Sequence, residues 1–456
     1  MIVPKPSTLL GADTPVPCAD GRTRRYVNLD YAASTPVLAE VWEAVEAFLP
    51  WYSSVHRGSG IKSQLATAAF EGARDTVAAF VGARADDAVV FVRNTTEAIN
   101  VLAASLPEGS RVLSSPVEHH SNMLPWRRHD VSLLPFARSA GELLEACDRQ
   151  LRERRADLVA VTGASNVTGE VWPLAELAQI VHRHGAELFV DGAQLAPHRP
   201  IDMAASGIDH LALSGHKLYA PFGAGALVGA GVRLHACPPL LAGGGAVELV
   251  TLDDVVWADA PERHEAGSPN VVGAVALGAA CRRLMELGMD AVAEHERGLT
   301  AYLWRRLADV PGLRTLRLWP DAADRVGLAA FNLDGYRHPL LAAVLSAEEA
   351  IGVRHGCFCA HPLITELLGV PAGEVDRLRG ELQAGRRPQL PGAVRASLGL
   401  GTTRADVARL ADALARIASH GPRSRYVHDA GRDEYQPVDD RRRWPNVPFT
   451  LEPLAA

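Results

Sequence analysis

Several things are scarce in this sequence, and each scarcity excludes something. Cysteine is rare: six residues in 456, at positions 18, 147, 237, 281, 357 and 359. That density is too low for a disulfide scaffold, so reduced thiols are expected. Long apolar runs are missing. The longest nearly unbroken one, Val271 to Cys281, falls short of the about 20 residues a bilayer span needs. A secretory leader is missing too, because Pro4, Pro6, Asp13 and Pro15 interrupt any apolar segment near the start. A soluble, cytoplasmic protein without membrane contact is therefore expected. Positive charge is not in excess: the formal net charge is −7, and the short run Arg441-Arg442-Arg443 sits among acids and prolines. This argues against nucleic acid as a partner and reads as a solvated surface. No internal repeat and no metal-ligand pattern is evident.

What is present is bulk with regular punctuation. The chain is 48% hydrophobic and 22% charged, enough for a large core and more than one domain. Short apolar runs suited to buried strands (Ala88–Val92, Arg111–Ser115, Asp157–Thr162, Glu187–Val190, Ile208–Leu213) alternate with helical stretches. Thr95–Leu106 is one. Another is Pro173–His184, with Leu174, Leu177, Ile180 and Val181 on one face and Gly185 as its stop. The alternation predicts an α/β fold with a mostly parallel sheet covered by helices. After about residue 285 the pattern changes to a smaller α+β unit. Its last helix has Thr403 and Asp406 as a capping box, and Val407, Leu410, Leu414 and Ile417 as its apolar face. The expected organisation is an arm (1–27), a large domain (28–285), a small domain (286–420), and a tail (421–456) that wraps a neighbour or is disordered.

Ligands of parallel sheets sit at the carboxyl ends of strands, and the polar clusters here fall at such ends. Thr95 and Thr96 open a helix after a strand, where free N–H groups and the helix dipole suit a phosphate. Asp191 ends a buried strand, where a carboxylate needs a cationic partner. Lys217 follows an apolar strand through Gly215, and a lysine in such a cleft becomes nucleophilic when neutral. Ser214 and His216 flank it as phosphate or cofactor contacts. Alone, each has a plainer reading: a capping Thr, a turn Asp, a solvated Lys. Together they supply what pyridoxal 5'-phosphate (PLP) needs, namely a phosphate cradle, a partner for the pyridinium N–H, and an amine for a Schiff base on Lys217.

The ordered motifs DYAAS (30–34), VHRGSG (55–60), RNTTEAIN (93–100), EHHSN (118–122), SNVTGE (165–170), VDGAQ (190–194), SGHKLY (214–219), GGG (243–245) and EAGSPN (265–270) resemble those of class V aminotransferase-fold enzymes. Within that group they look most like cysteine desulfurases and selenocysteine lyases. The resemblance implies a fold-type I PLP enzyme with a seven-stranded sheet. It implies that Lys217 forms the imine and shuttles the α-proton, Asp191 holds the pyridinium, and Gln194 contacts the ring 3'-oxygen. His119 would stack on the ring, and His120 would be structural. Thr95, Thr96, Ser214 and His216 would bind the phosphate, with Ser268 reaching it from the second subunit of a homodimer with shared sites. Asn166, Arg395, Arg354, His56 and Arg57 would contact substrate, Arg395 gripping its carboxylate.

The segment from Gly352 to Pro362 contains Cys357-Phe358-Cys359. In cysteine desulfurases a Cys in such a loop attacks the sulfur of a PLP-bound cysteine and leaves alanine and a persulfide, and Cys359 aligns with it. Arg354, His355 and His361 are candidates for lowering its pKa. The sequence departs from the compact bacterial pattern in having Phe358 rather than His before the nucleophile. It also carries a charged, helix-like insertion, 372–388, expected to reshape the mouth of the site. The leading expectation is a cysteine desulfurase-like enzyme that passes sulfur to an acceptor protein. The alternatives are C–S β-elimination, transamination or decarboxylating deamination of a larger amino acid, or a PLP-binding scaffold without turnover.

Overall fold

The structure is a computed structural model and describes residues 9–444. The outermost parts of the expected arm (1–8) and tail (445–456) lie outside the described residues.

Seven strands form the main sheet: β1 (Asp87–Val92), β2 (Arg111–Ser114), β3 (Asp130–Leu133), β4 (Leu158–Thr162), β5 (Glu187–Asp191), β6 (His210–Ser214) and β7 (Gly225–Ala230). Their order is β1-β7-β6-β5-β4-β2-β3. Only β7 runs against its neighbours; the other pairs are parallel. The expected mostly parallel seven-stranded sheet is therefore present. Its centre is apolar on both faces, as parallel sheets require: β4 reads LVAVT and every residue in it is buried. Helices cover both faces. Val271–Leu287 approaches Ile61–Val81 so closely that a Cβ on Gly278 would lie 2.8 Å from the Ala73 Cβ.

A second sheet is antiparallel throughout: β8 (Leu313–Leu316), β9 (Leu328–Leu333), β10 (Arg354–Gly356) and β11 (Ala393–Ser397), in the order β8-β9-β11-β10. The helix Arg404–His420 starts at the Thr403/Asp406 capping box and buries Val407, Leu410, Leu414 and Ile417 against this sheet's core.

Three segments differ from their sequence reading. The described part of the arm is a hairpin, Pro15–Pro17 with Thr23–Arg25, with Leu9 and Cys18 buried. Directly after it, Val27 and Leu29 enter the second core, because Val27–Asn28 pairs in parallel with Ile351–Gly352. The described tail is ordered against its own chain. Tyr426–Asp429 and Glu434–Pro437 form a hairpin, and the buried Glu348 accepts from Arg423 N at 2.9 Å and Ser424 N at 3.1 Å. The insertion is a helix, Ala372–Gln383, that buries only Leu378 and contributes nothing to the cavity described next. No helix among the described residues is long and apolar enough to cross a membrane.

Candidate active site

A cavity of about 340 Å³ opens where the carboxyl ends of β1, β4, β5 and β6 face β10 and β11. Thr95, Thr96, His119, Asn166, Asp191, Gln194, Ser214, His216, Lys217, Arg354, Cys359 and Arg395 all line it. Strand ends bring these residues together because the parallel strands stop at one level while their sequence positions are far apart.

One wall hangs from β1, β5 and β6. Asn94 caps the helix Thr95–Ser105 by accepting from Glu97 N at 3.1 Å. That leaves the two threonine hydroxyls for other partners. Thr96 Oγ1 pairs with Ser121 Oγ at 2.7 Å, while Thr95 Oγ1 is buried with no partner among the described residues. Asp191 is buried and accepts from Ala193 N at 3.0 Å. Burial raises its carboxyl pKa, and the Lys217 charge opposes this. Gln194 Nε2 donates to Ala32 O at 2.7 Å, and its Oε1 has no partner.

Gly215 lets the chain turn tightly after β6, since a Cβ there would sit 2.7 Å from Ala224 O. The turn delivers Lys217 to the cavity floor. Burial lowers the Lys217 pKa to about 8, against the pull of Asp191. Burial also pushes His119 down to about 3 and His216 to about 4, with Lys217 adding to both. Both imidazoles are neutral at neutral pH. His119 Nδ1 accepts from Ser121 N at 3.1 Å, which leaves the ring proton on Nε2.

The facing wall carries the cationic and thiol groups. Arg395 on β11 stands opposite Arg354 on β10 in register. Like charges facing each other across strands repel, and Asp30 offsets this by holding both: Arg395 Nη2 at 3.4 Å and Arg354 Nη2 at 3.1 Å. Arg395 Nη1 donates to Asn166 O at 2.8 Å, and its Nε is buried without a partner. Burial lowers the Arg395 pKa to about 10. Cys359 is exposed to the cavity on a turn closed by Ala360 N donating to Cys357 O at 2.9 Å. Cys357 is half-buried, packs on the first core and does not line the cavity.

The structure places several expected residues in other surroundings. His56, Arg57 and Ser268 do not line this chain's own cavity. His56 pairs with Glu71 at 2.8 Å, Arg57 Nη2 donates to Val247 O at 3.4 Å, and Ser268 is exposed. The Asn166 side chain is committed to the cysteine turn, donating to Phe358 O at 2.7 Å. Burial lowers the pKa of His355 and of His361, so neither brings positive charge to Cys359. Lys217, Arg354 and Arg395 are the cationic side chains that line the cavity with Cys359.

Sequence reasoning missed Asp30, Ser121 and Glu118, although all three lie inside quoted motifs. Glu118 is fully buried behind the first wall. It accepts from Ser115 Oγ at 2.6 Å, Asn122 Nδ2 at 2.6 Å and Thr162 N at 3.1 Å. Burial raises its pKa to about 8. An acid preceding two histidines was the available signal.

The unpartnered atoms test the fit of a cofactor. Thr95 Oγ1, Ser214 Oγ, Gln194 Oε1 and Arg395 Nε are buried, lack partners among the described residues, and belong to residues lining this one cavity. An unsatisfied buried polar group costs about 1–3 kcal/mol, so their convergence marks a place for a polar ligand. A phosphate at the Thr95 and Ser214 end, a pyridine ring before Asp191 and an aldehyde at Lys217 fit the residues present.

Residues 27–410 match the family described as Aminotransferase class-V. The chain is similar to a cysteine desulfurase of Dickeya dadantii, 40% identical over 79% of this chain and 89% of that protein. It is also similar to one of Escherichia coli O6:H1, 35% identical over 89% of this chain and 97% of that protein. Among solved structures it resembles the apo cysteine desulfurase of Thermococcus onnurineus, with a TM-score of 0.76 at 29% identity over 86% of this chain and 94% of that one. An Escherichia coli cysteine desulfurase gives a TM-score of 0.72 at 34% identity, with the same coverage.

Proposed function

The chain belongs to the class-V aminotransferase family, and from that premise we propose that it is a PLP-dependent cysteine desulfurase. The observation that carries this reading is the meeting of Cys359, Lys217 and Arg395 in one cavity, with relatives of that activity on both the sequence and the structural side.

When bound, PLP supplies an electron sink for bonds at the substrate α-carbon. The chain's residues do the rest. Thr95, Thr96, Ser214 and His216 would bind the phosphate, and Asp191 would hold the proton on the pyridine nitrogen. His119 and Gln194 would contact the ring. Lys217 is the attachment point. Its lowered pKa of about 8 lets it both accept and return a proton near neutral pH. Arg395 offers its unpartnered Nε to the substrate carboxylate. The Cys359 thiolate then attacks the substrate sulfur. A sulfur–sulfur bond forms to Cys359 as the carbon–sulfur bond breaks. The electron pair stays with the carbon fragment, which is protonated and leaves as alanine. The persulfide remains on an exposed side chain, open to an acceptor protein.

We assign His56, Arg57 and Ser268 to the cavity of a second copy in a homodimer. Their position away from this chain's own cavity supports that assignment, as do the exposed Leu249, Val250 and Val256 of the adjoining hairpin. We also take the two cores as two domains, with substrate bound at their junction.

Phe358, standing where compact desulfurases carry His, favours one second reading: C–S β-elimination from a larger S-substituted amino acid. Product analysis separates them. With a thiol reductant present to free the persulfide sulfur, L-cysteine should yield alanine and sulfide in equal amounts. Pyruvate and ammonia in place of alanine would sink the desulfurase reading.

A further inference from the structure

The turn that presents Cys359 is held more firmly than exposure of a thiol requires. Phe358 (φ 53°) and Cys359 (φ 55°) are consecutive non-glycine residues in the left-handed region, which costs about 1–2 kcal/mol per residue. Such a conformation persists only where its surroundings over-determine it. Here the anchors are Ala360 N on Cys357 O at 2.9 Å, His120 N on Cys359 O at 2.7 Å and Asn166 Nδ2 on Phe358 O at 2.7 Å.

The Phe358 ring is also spoken for. It is buried in the first core and lies over the Arg395 guanidinium, 5.0 Å from ring centroid to the guanidinium carbon. Arg395 in turn donates to the backbone carbonyl of Asn166 at 2.8 Å. Asn166 therefore touches both partners, its side chain holding the Phe358 carbonyl and its main chain holding Arg395. Phe358, Asn166 and Arg395 form a closed circuit. Asp30 takes Arg395 Nη2, and Nε is buried without a partner among the described residues.

We propose that Phe358 is a positioning residue: its ring fixes the Arg395 guanidinium for the substrate carboxylate, and its backbone ties that grip to the presentation of Cys359. A cation over a desolvated ring is attracted by the ring's quadrupole, which favours one placement of the guanidinium. A histidine in its place would be smaller and more polar, and a leucine would keep apolar bulk without the ring face. The inference rests on the proposed role of Arg395 as carboxylate grip, but not on the fate of the sulfur.

The test uses the PLP-loaded protein and three measurements. L-alanine, which has a carboxylate but no sulfur, is titrated against the cofactor's absorbance to give an apparent Kd. The rate at which iodoacetamide alkylates Cys359 is followed by peptide mass. KM and kcat for L-cysteine are separated. Phe358→Leu is expected to weaken alanine binding and raise KM by about tenfold, to leave kcat within about threefold, and to speed alkylation several-fold. Phe358→Tyr, which keeps the ring, should restore wild-type values. Alanine affinity and alkylation both unchanged in Phe358→Leu would overturn the proposal, as would Tyr behaving like Leu. Should Phe358→Leu not fold, Asn166→Ala opens the same circuit at its other joint, and an unchanged alkylation rate there is equally fatal. Weakened alanine binding without any sulfide production from cysteine would uphold the positioning role and sink the desulfurase reading instead.

Discussion

On one side of the cavity, Thr95, Asp191, Ser214 and Lys217 hang from the ends of buried strands, and several of their polar atoms wait without partners. On the other, Arg395, Asn166, Phe358 and Cys359 hold one another through a left-handed turn and a pair of facing strands. The first wall is rigid by virtue of the sheet beneath it and is incomplete without a ligand. The second rests on β11 and on the first core, and is further held by contacts among its own residues. Substitution in the first wall should therefore remove ligand affinity or chemistry, while substitution in the second should loosen geometry.

The largest expected effect lies in the first wall. Lys217→Ala should cut turnover by on the order of 10³ or more and abolish borohydride trapping of the cofactor. The chain has three lysines, Lys5, Lys62 and Lys217, so the trapped mass can be assigned by peptide. Label on Lys62 would break the assignment of the wall.

Next comes Cys359, the group of the second wall proposed to react. Cys359→Ala should reduce sulfide release by about 10²-fold while the absorbance change with L-alanine stays within twofold. If alanine binding is lost as well, the two walls are not separable and the contrast fails.

A smaller effect reads the floor between them. With the Lys217 pKa at about 8, its neutral fraction is roughly a tenth at pH 7, half at pH 8 and nine-tenths at pH 9. Cofactor capture by apoprotein, which needs the neutral amine, should quicken about fivefold from pH 7 to 8 and less than twofold from pH 8 to 9. A tenfold rise in each step would mean an ordinary lysine and a floor that burial does not tune.

The two walls also differ in how far the sequence disclosed them. Strand-end chemistry is local: an apolar run ending in Asp191 or in Ser214-Gly215-His216-Lys217 places its own polar residues, and the sheet needed only the alternation of periods. The capping box at Thr403 was legible for the same reason. The second wall depends on contacts between residues far apart in sequence. Asp30 bridges Arg354 and Arg395, and Asn166 spends its amide on a carbonyl at Phe358. Neither link has a local pattern. Nor does the positive φ of Phe358 and Cys359, since neither residue type favours it. His56, Arg57 and Ser268 were matched by motif but lie off this chain's cavity, because a motif carries a residue's identity and not its place in the fold. The tail's composition suggested disorder, yet the buried Glu348 ties it down.

The smallest effect concerns what stands behind the first wall. Glu118 is fully buried, accepts three hydrogen bonds, and has its pKa raised to about 8 by burial, with Asp191 adding to the rise. In the unfolded chain it titrates near 4.3. Between those values the folded state holds a proton that the unfolded state has lost. Stability therefore falls as pH rises from about 4.5 to 8, and this contribution levels off above. Gln at this position cannot ionise. Glu118→Gln should cost about 1–2 kcal/mol at pH 5, where the neutral acid is best accommodated, because the amide cannot reproduce all three contacts. By pH 8 the wild type has lost its own advantage, so the gap should close or reverse. Urea midpoints of both proteins at pH 5 and pH 8 decide it. A gap that stays constant would mean that Glu118 is charged in the folded state throughout. Burial would then not keep the carboxyl behind Asp191 neutral, and the three contacts to Glu118 would have to hold its charge instead.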